Sequence, residues 1–305
     1  MLGASDSEGT PSLASGASSC RILHATRRDD TTELEPPDSF ACLPPVTRAL
    51  MPSVSAAGAS TARPHLSVVI ACYNDGPILE RNVIETLGVL DASGHSPELI
   101  FVDDGSQDDT PAIIERLVRA HPDRPVTCLR HATNTGRGSA VADGIRAASG
   151  RLVGFLDIDL EVHARYIVPC LKALDEGFDV ATGLRMYDFT WRSVDRYVMS
   201  RGYRLLMQKT LAVPLEDPET GFKFFRRDAI LPVLAETQDP GWFWDTEIMV
   251  RAFYAGLRIT EIPVVFQRQF ERPSTVRPIH DSLIHLRRLV AFRREAARLR
   301  RANRT

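Results

Sequence analysis

Three acidic runs stand out in the 305-residue chain: Asp103-Asp104 before Gly-Ser, Asp157-Ile-Asp159 with Glu161 two residues on, and Asp245 with Glu247 in Trp-Asp-Thr-Glu. Asp157-x-Asp159 is the sharpest. In a strand, residues two apart share a face, so both carboxylates can hold one hard divalent cation beside phosphates. The plain alternative is a surface turn with two solvated acids, since short motifs also arise by chance. Asp103 and Asp104 fit either an Asx turn or an acceptor for the base or ribose of a nucleotide. Asn134-Thr-Gly136-Arg137-Gly138 precedes a helical pattern. Its glycines let backbone approach a ligand, and Arg137 can meet a phosphate at a helix N-terminus. Val141 stands where a dinucleotide fingerprint would need its third glycine, so that fingerprint fails.

The elements around these residues alternate. Leu66–Cys72 is a β-branched run suited to a buried parallel strand, ending in Tyr73-Asn74-Asp75. Residues 77–90 show helical periodicity with Pro77 at the start, and 99–102 form a second strand. Thr110-Pro111 reads as an N-cap with proline at the first helical position, opening a helix to Ala120. A third strand spans 126–129, a third helix 138–148 and a fourth strand 152–156. Strand and helix in alternation predict an α/β fold with a mostly parallel central sheet and helices on both faces. Ligands then sit at the carboxyl ends of the strands, where the acidic groups cluster.

The two ends of the chain differ from this middle. Residues 1–64 hold seven of the 20 prolines and one of the 22 aromatics, Phe40, and read as a disordered, low-complexity extension. From Arg268 to Arg304 there are 11 arginines against Glu271, Asp281 and Glu295, a net of +8. Leu283, Leu286, Leu289, Val290 and Phe292 recur there at helical spacing, which predicts a basic amphipathic helix over 278–305. It would either pack on the domain formed by 65–277 or attach to an anionic membrane surface. The net charge of −2 argues against a uniformly basic nucleic-acid binder. Five cysteines without a CxxC pair, no apolar run of about 18 residues and no signal-peptide pattern lead to the expectation of a cytoplasmic protein, with peripheral contact at the inner membrane face.

VVIACYND (68–75), FVDDGSQDDT (101–110), NTGRGSAVADGI (134–145) and DIDLE (157–161), in this order, resemble glycosyltransferase family 2 with its GT-A nucleotide-sugar-binding fold. ATGLR (181–185), WRSVDRYVMSRGYRLL (191–206), DPETGFKFFRRDAI (217–230) and WDTEIMVRAFYAGLRITEIPV (244–264) are similar to the polyprenol-phosphate mannose and glucose synthases. The resemblance implies a nucleotide-sugar donor, GDP-mannose or UDP-glucose, and polyprenyl phosphate as acceptor. It places Tyr73, Asp75, Asp103 and Asp104 around the nucleotide. Asp157 and Asp159 would bind Mg²⁺ or Mn²⁺, with Glu161 where the family usually has a glutamine ligand. Arg185, Arg196 and Ser200 fall where the acceptor phosphate is expected, and Lys223 near the phosphates. The family's usual proline before Tyr-Asn is absent here, and Asp75 replaces its usual glutamate.

Chemistry then turns on the acceptor. A lipid phosphate is already an anion and needs cations, not a base, for its inverting attack. A hydroxyl of a polysaccharide or natural product needs a carboxylate base, for which Asp245 is the candidate. Asp245 and Glu247 could instead cap or pair structurally.

Overall fold

The computed structural model describes residues 22–23, 64–186, 207–267 and 278–303, with side chains from 64 to 186, 207 to 267 and 284 to 303. The strands are β1 (Ile22–Leu23), β2 (Leu66–Cys72), β3 (Glu98–Asp103), β4 (Val126–Arg130), β5 (Leu152–Leu156), β6 (Val180–Met186), β7 (Phe222–Arg226) and β8 (Ile259–Val265). The helices are α1 (Gly76–Ala92), α2 (Thr110–Ala120), α3 (Arg137–Ala147), α4 (Ile167–Asp175), α5 (Arg227–Glu236), α6 (Trp244–Tyr254) and α7 (Pro278–Ala302). Residues 207–211 are also helical.

One sheet joins the strands in the order β1-β8-β6-β7-β5-β2-β3-β4. The pairs β2–β3, β3–β4, β2–β5 and β6–β8 are parallel, whereas β7 runs antiparallel between β5 and β6. The chain winds outward from β2 to β4, then crosses back to β5 on the other side of β2. That reversal opens a crevice at the carboxyl ends of β2 and β5, the usual ligand position in such sheets. Register sets its walls: Cys72 pairs with Asp103 and Asp103 with Arg130, so the polar residues after β2 and β3 emerge level with each other.

The period-two alternation of each strand divides the core. Val69, Ile100, Val102, Val153 and Phe155 face α3, α5 and α6 through Ala140, Val141, Ile145, Ile230, Val233 and Ile248. Val68, Ile70, Leu99 and Phe101 face α1, α2 and α4 through Leu79, Val83, Ile114, Leu117 and Leu171. Helices on both faces and mostly parallel pairing agree with the expected architecture. Thr110 does not act as an N-cap: it is the first helical residue, and its hydroxyl accepts from the Asp75 N–H at 2.9 Å instead. The fourth strand is found where expected, at 152–156, but its antiparallel neighbour β7 was not legible as a strand, because Phe222–Arg226 mixes aromatics with Lys223 and lacks alternation.

At the ends, Ile22 and Leu23 pair antiparallel with Thr260 and Ile259. The remainder of the expected disordered extension lies outside the described residues, except Pro64. The α7 helix packs on the domain through Leu289, Phe292 and Ala296, with Leu299 against the same cluster. Leu286 and Val290 are exposed, so the buried face is narrower than the spacing suggested. Among the described residues no helix is long and apolar enough to cross a membrane.

Candidate active site

Four charged side chains interlock at the crevice. Arg137, the first residue of α3, donates from Nε to Asp157 Oδ1 at 2.8 Å and from Nη1 to Asp245 Oδ2 at 2.6 Å. Lys223, in β7, donates from Nζ to Asp245 Oδ1 at 2.9 Å and also to the Thr220 carbonyl. The Lys223 and Asp245 side chains are 0% and 2% exposed. Burial pushes the Lys223 ammonium below its usual range and Asp245 partly offsets this. Burial raises the Asp157 carboxyl, with Arg137 opposing. The guanidinium lies over Phe155 and Trp242, at 5.4 and 4.9 Å from the ring centroids. Gly221 is what lets β7 come this close. A Cβ there would lie 1.8 Å from Asp157 Oδ2, while the Gly221 carbonyl accepts from Asp157 N at 2.9 Å.

Asp159 faces the same opening. Burial, and next the charge of Asp157, push its carboxyl up to about 7. Its Oδ1 accepts from the Glu161 N–H at 3.1 Å. Among the described residues no three His, Cys, Asp or Glu side chains converge as a metal-holding group, so Asp157, Asp159 and Glu161 do not form a ready-made cage. Two hard carboxylates without a third still fit a Mg²⁺-type ion, which is usually held by one or two carboxylates together with substrate phosphates. Arg137 faces the first of them directly: its Nη2 lies 2.6 Å from Asp157 Oδ1, beside the Nε contact to the same oxygen, so a cation bound here would share Asp157 with the guanidinium.

The residues expected around a nucleotide follow β2 and β3. Tyr73 is 41% exposed at the rim. Asp75 accepts from the Tyr73 N–H at 2.8 Å and so shapes the turn. Asn74, at φ 54°, accepts from Gln107 N at 2.8 Å. Asp103 Oδ1 accepts from Ser106 N at 3.0 Å, and its Oδ2 is 3.2 Å from Arg130 Nε. Asp104 turns inward. Its Oδ1 accepts from the Thr135 N–H and hydroxyl, both at 2.8 Å, and its Oδ2 from Gly136 N at 2.9 Å. Burial alone would raise this carboxyl, but His131, Thr135 and Gly136 outweigh it and hold it below its usual range. Asp104 therefore builds the loop that delivers Gly136 and Arg137. Gly136 has φ 102°, and a Cβ there would lie 2.3 Å from the Pro240 carbonyl oxygen.

On the expected acceptor side, Arg185 is already committed. Its Nε and Nη2 form a bidentate pair with Asp217, both at 2.7 Å. Asp217 N donates to Glu261 Oε1 at 2.8 Å. Arg196 and Ser200 lie outside the described residues. Glu247 is structural: its Oε2 accepts from Asp239 N at 2.8 Å and its Oε1 from Arg251 Nε at 2.8 Å. Sequence reasoning passed over His131, Asp217, Trp242 and Glu261. Asp217 stands in the quoted DPETGFK stretch, whereas His131 and Trp242 carry no motif of their own.

Fold and crevice together define a GT-A-type α/β domain, with acidic groups after β2, β3 and β5 and cations from α3 and β7. The sequence profile of Glycosyl transferase family 2 matches residues 67–232, and the chain belongs to that family. It is 36% identical over 216 residues to glycosyltransferase AglD of Haloferax volcanii, covering 68% of this chain and 34% of that protein. It is 27% identical over 216 residues to the dolichyl-phosphate beta-glucosyltransferase of Drosophila melanogaster, covering 65% and 66%. The chain thus spans about a third of the first of these relatives. Among solved structures it is similar to the mannosyltransferase PcManGT of Pyrobaculum calidifontis in complex with GDP-Man and Mn²⁺, at TM-score 0.53 and 19% identity, covering 78% of this chain and 65% of that one. Glucosyl-3-phosphoglycerate synthase of Mycobacterium tuberculosis gives TM-score 0.52 at 20% identity, covering 76% and 80%. At these identities the structures speak for the fold alone.

Proposed function

We propose that the protein is an inverting, metal-dependent hexosyltransferase that moves a sugar from a nucleotide-sugar donor, GDP-mannose or UDP-glucose, to polyprenyl phosphate. The observation that carries the choice of acceptor is the position of Asp245. Both its oxygens are engaged by cations, at 2.6 Å from Arg137 and 2.9 Å from Lys223, and its side chain is buried. A hydroxyl acceptor needs a base with an oxygen turned to the substrate. A phosphate monoester is already nucleophilic and needs only positioning by cations. The dolichyl-phosphate glucosyltransferase relatives support the same acceptor class.

Asp157 and Asp159 would hold Mg²⁺ or Mn²⁺, which supplies charge to offset the departing diphosphate. Tyr73, Asp75 and Asp103 border the nucleotide, and Asp104 holds Gly136 and Arg137 in place. Arg137 and Lys223 give the crevice fixed positive charge. Arg196 and Ser200 remain the proposed acceptor contacts. The outward face of α7 exposes Arg287, Val290, Arg294, Arg298 and Arg301, which fits attachment to an anionic membrane surface at roughly 1 kcal/mol per basic residue.

A second reading, a family 2 enzyme acting on a hydroxyl, is favoured by one observation: Arg185 is paired with Asp217 and so is withdrawn from the acceptor. Incubation with UDP-glucose and GDP-mannose, with and without polyprenyl phosphate and EDTA, tests the proposal. Lipid-linked hexose formed only with a divalent metal is the expected result. Transfer in EDTA, or none to the lipid from either donor, would overturn it.

A further inference from the structure

The loop from His131 to Gly136 joins β4 to α3 and brings Arg137 into the crevice. Its geometry converges on one histidine. His131 is 8% exposed; its Nδ1 lies 2.6 Å from Asp104 Oδ1 and its Nε2 3.2 Å from Asp143 Oδ2. A carboxylate accepts and does not donate, so a ring with a carboxylate at each nitrogen must donate from both, as only the imidazolium can. The charged groups facing it come from three elements. Asp104 follows β3, and Asp143 lies on α3, where Arg146 Nη1 donates to Asp143 Oδ1 at 2.8 Å. Arg130, at the end of β4, is paired with Asp103. From the loop itself, Thr135 Oγ1 lies 2.9 Å from Nδ1. The hydrogen bond to Asp104, then that to Asp143, push the imidazole up to about 9 against the effect of burial.

The consequence reaches the crevice in short steps. Asp104 takes the N–H groups of Thr135 and Gly136, and the next residue is Arg137, which holds Asp157 and Asp245. We propose that His131, bridging Asp104 and Asp143 as an imidazolium, is the positioning residue that fixes this loop and with it the affinity for the diphosphate of the donor. This rests on the nucleotide-sugar reading above. His131 touches no reacting atom; it acts through Asp104.

UDP and GDP are the probes, titrated calorimetrically into the full-length protein with Mn²⁺ from pH 7 to 10, alongside an NMR titration of the His131 ring. Affinity should hold at neutral pH and fall as pH passes about 9, in step with the ring. Asp143→Asn removes one of the two carboxylates and leaves Asp104 in place, so both midpoints should move down together by roughly one unit. His131→Asn should weaken nucleotide binding at pH 7.5 about tenfold and raise the donor KM more than it lowers kcat. A merely structural histidine would change the melting temperature without moving the binding midpoint in Asp143→Asn. An unmoved midpoint, or a ring that titrates near 6.5, would overturn the proposal. If neither nucleotide binds the wild type at pH 7.5, the donor reading fails, while the ring titration still decides whether His131 is the charged bridge.

Discussion

The Lys223 ammonium and the Asp245 carboxylate form a buried ion pair at 2.9 Å, and Arg137 closes on the other oxygen of the same carboxylate at 2.6 Å. The strand β7 and the first turn of α6 are thereby tied to the start of α3. Charge of both signs is held away from water at the crevice.

Breaking that pair should be costly. Lys223→Ala leaves the Asp245 carboxylate with Arg137 alone, and removing one partner of a buried pair costs about 3–5 kcal/mol. Urea unfolding should show a loss of that size without a change in m-value. A loss below about 1 kcal/mol would mean that the carboxylate reaches water or another donor in its place.

Asp159 is predicted to trade stability for function. Its folded carboxyl is raised to about 7, so ionisation opposes folding: the cost begins above the unfolded carboxylate range and is complete above about pH 7. In EDTA at pH 8, Asp159→Asn should therefore melt higher than wild type. With metal and donor it should lose turnover by orders of magnitude. A variant that melts lower in EDTA, or that turns over normally, would contradict the assignment.

The N-terminal segment offers a different check. Only Ile22 and Leu23 of it, with Pro64, are described, and the two-residue strand pairs at the edge of the sheet on β8. Removing residues 1–60 should change the melting temperature by no more than a few degrees and leave turnover near wild type. A large drop on thermal melting would show that the segment supports the core.

Much of this was legible in the sequence because the first half of the domain obeys local rules. Leu66–Cys72 and Leu152–Leu156 are buried on both faces and read as apolar runs, and the helices between them keep their 3.6-residue period. Asp103, Asp104 and Asp157 stand at strand ends as the alternation implies, whereas Asp245 and Glu247 lie in the first turn of α6. What was not legible depends on contacts between distant segments. Nothing local shows that Asp217 would pair with Arg185, or that Asp104 would bond to His131 and Gly136. Phe222–Arg226 hides a central strand because the charge of the buried Lys223 is met by Asp245, which lies 22 residues on.

The acceptor can also be probed through two side chains with opposite expectations. Arg196→Ala should weaken transfer at least tenfold, since a charge-assisted hydrogen bond contributes about 1.5–3 kcal/mol and 1.4 kcal/mol is a factor of ten. Asp245→Asn should be milder, because a phosphate has no proton to surrender. If Asp245→Asn abolishes transfer and Arg196→Ala is tolerated, a hydroxyl acceptor replaces the phosphate.

The most direct measurement compares two acceptors that differ only at the reacting group: polyprenyl phosphate and the matching polyprenol, each with radiolabelled UDP-glucose or GDP-mannose and Mn²⁺. The account predicts labelled hexose on the phosphate and none on the alcohol. Label on the alcohol, with the phosphate left unmodified, would contradict it.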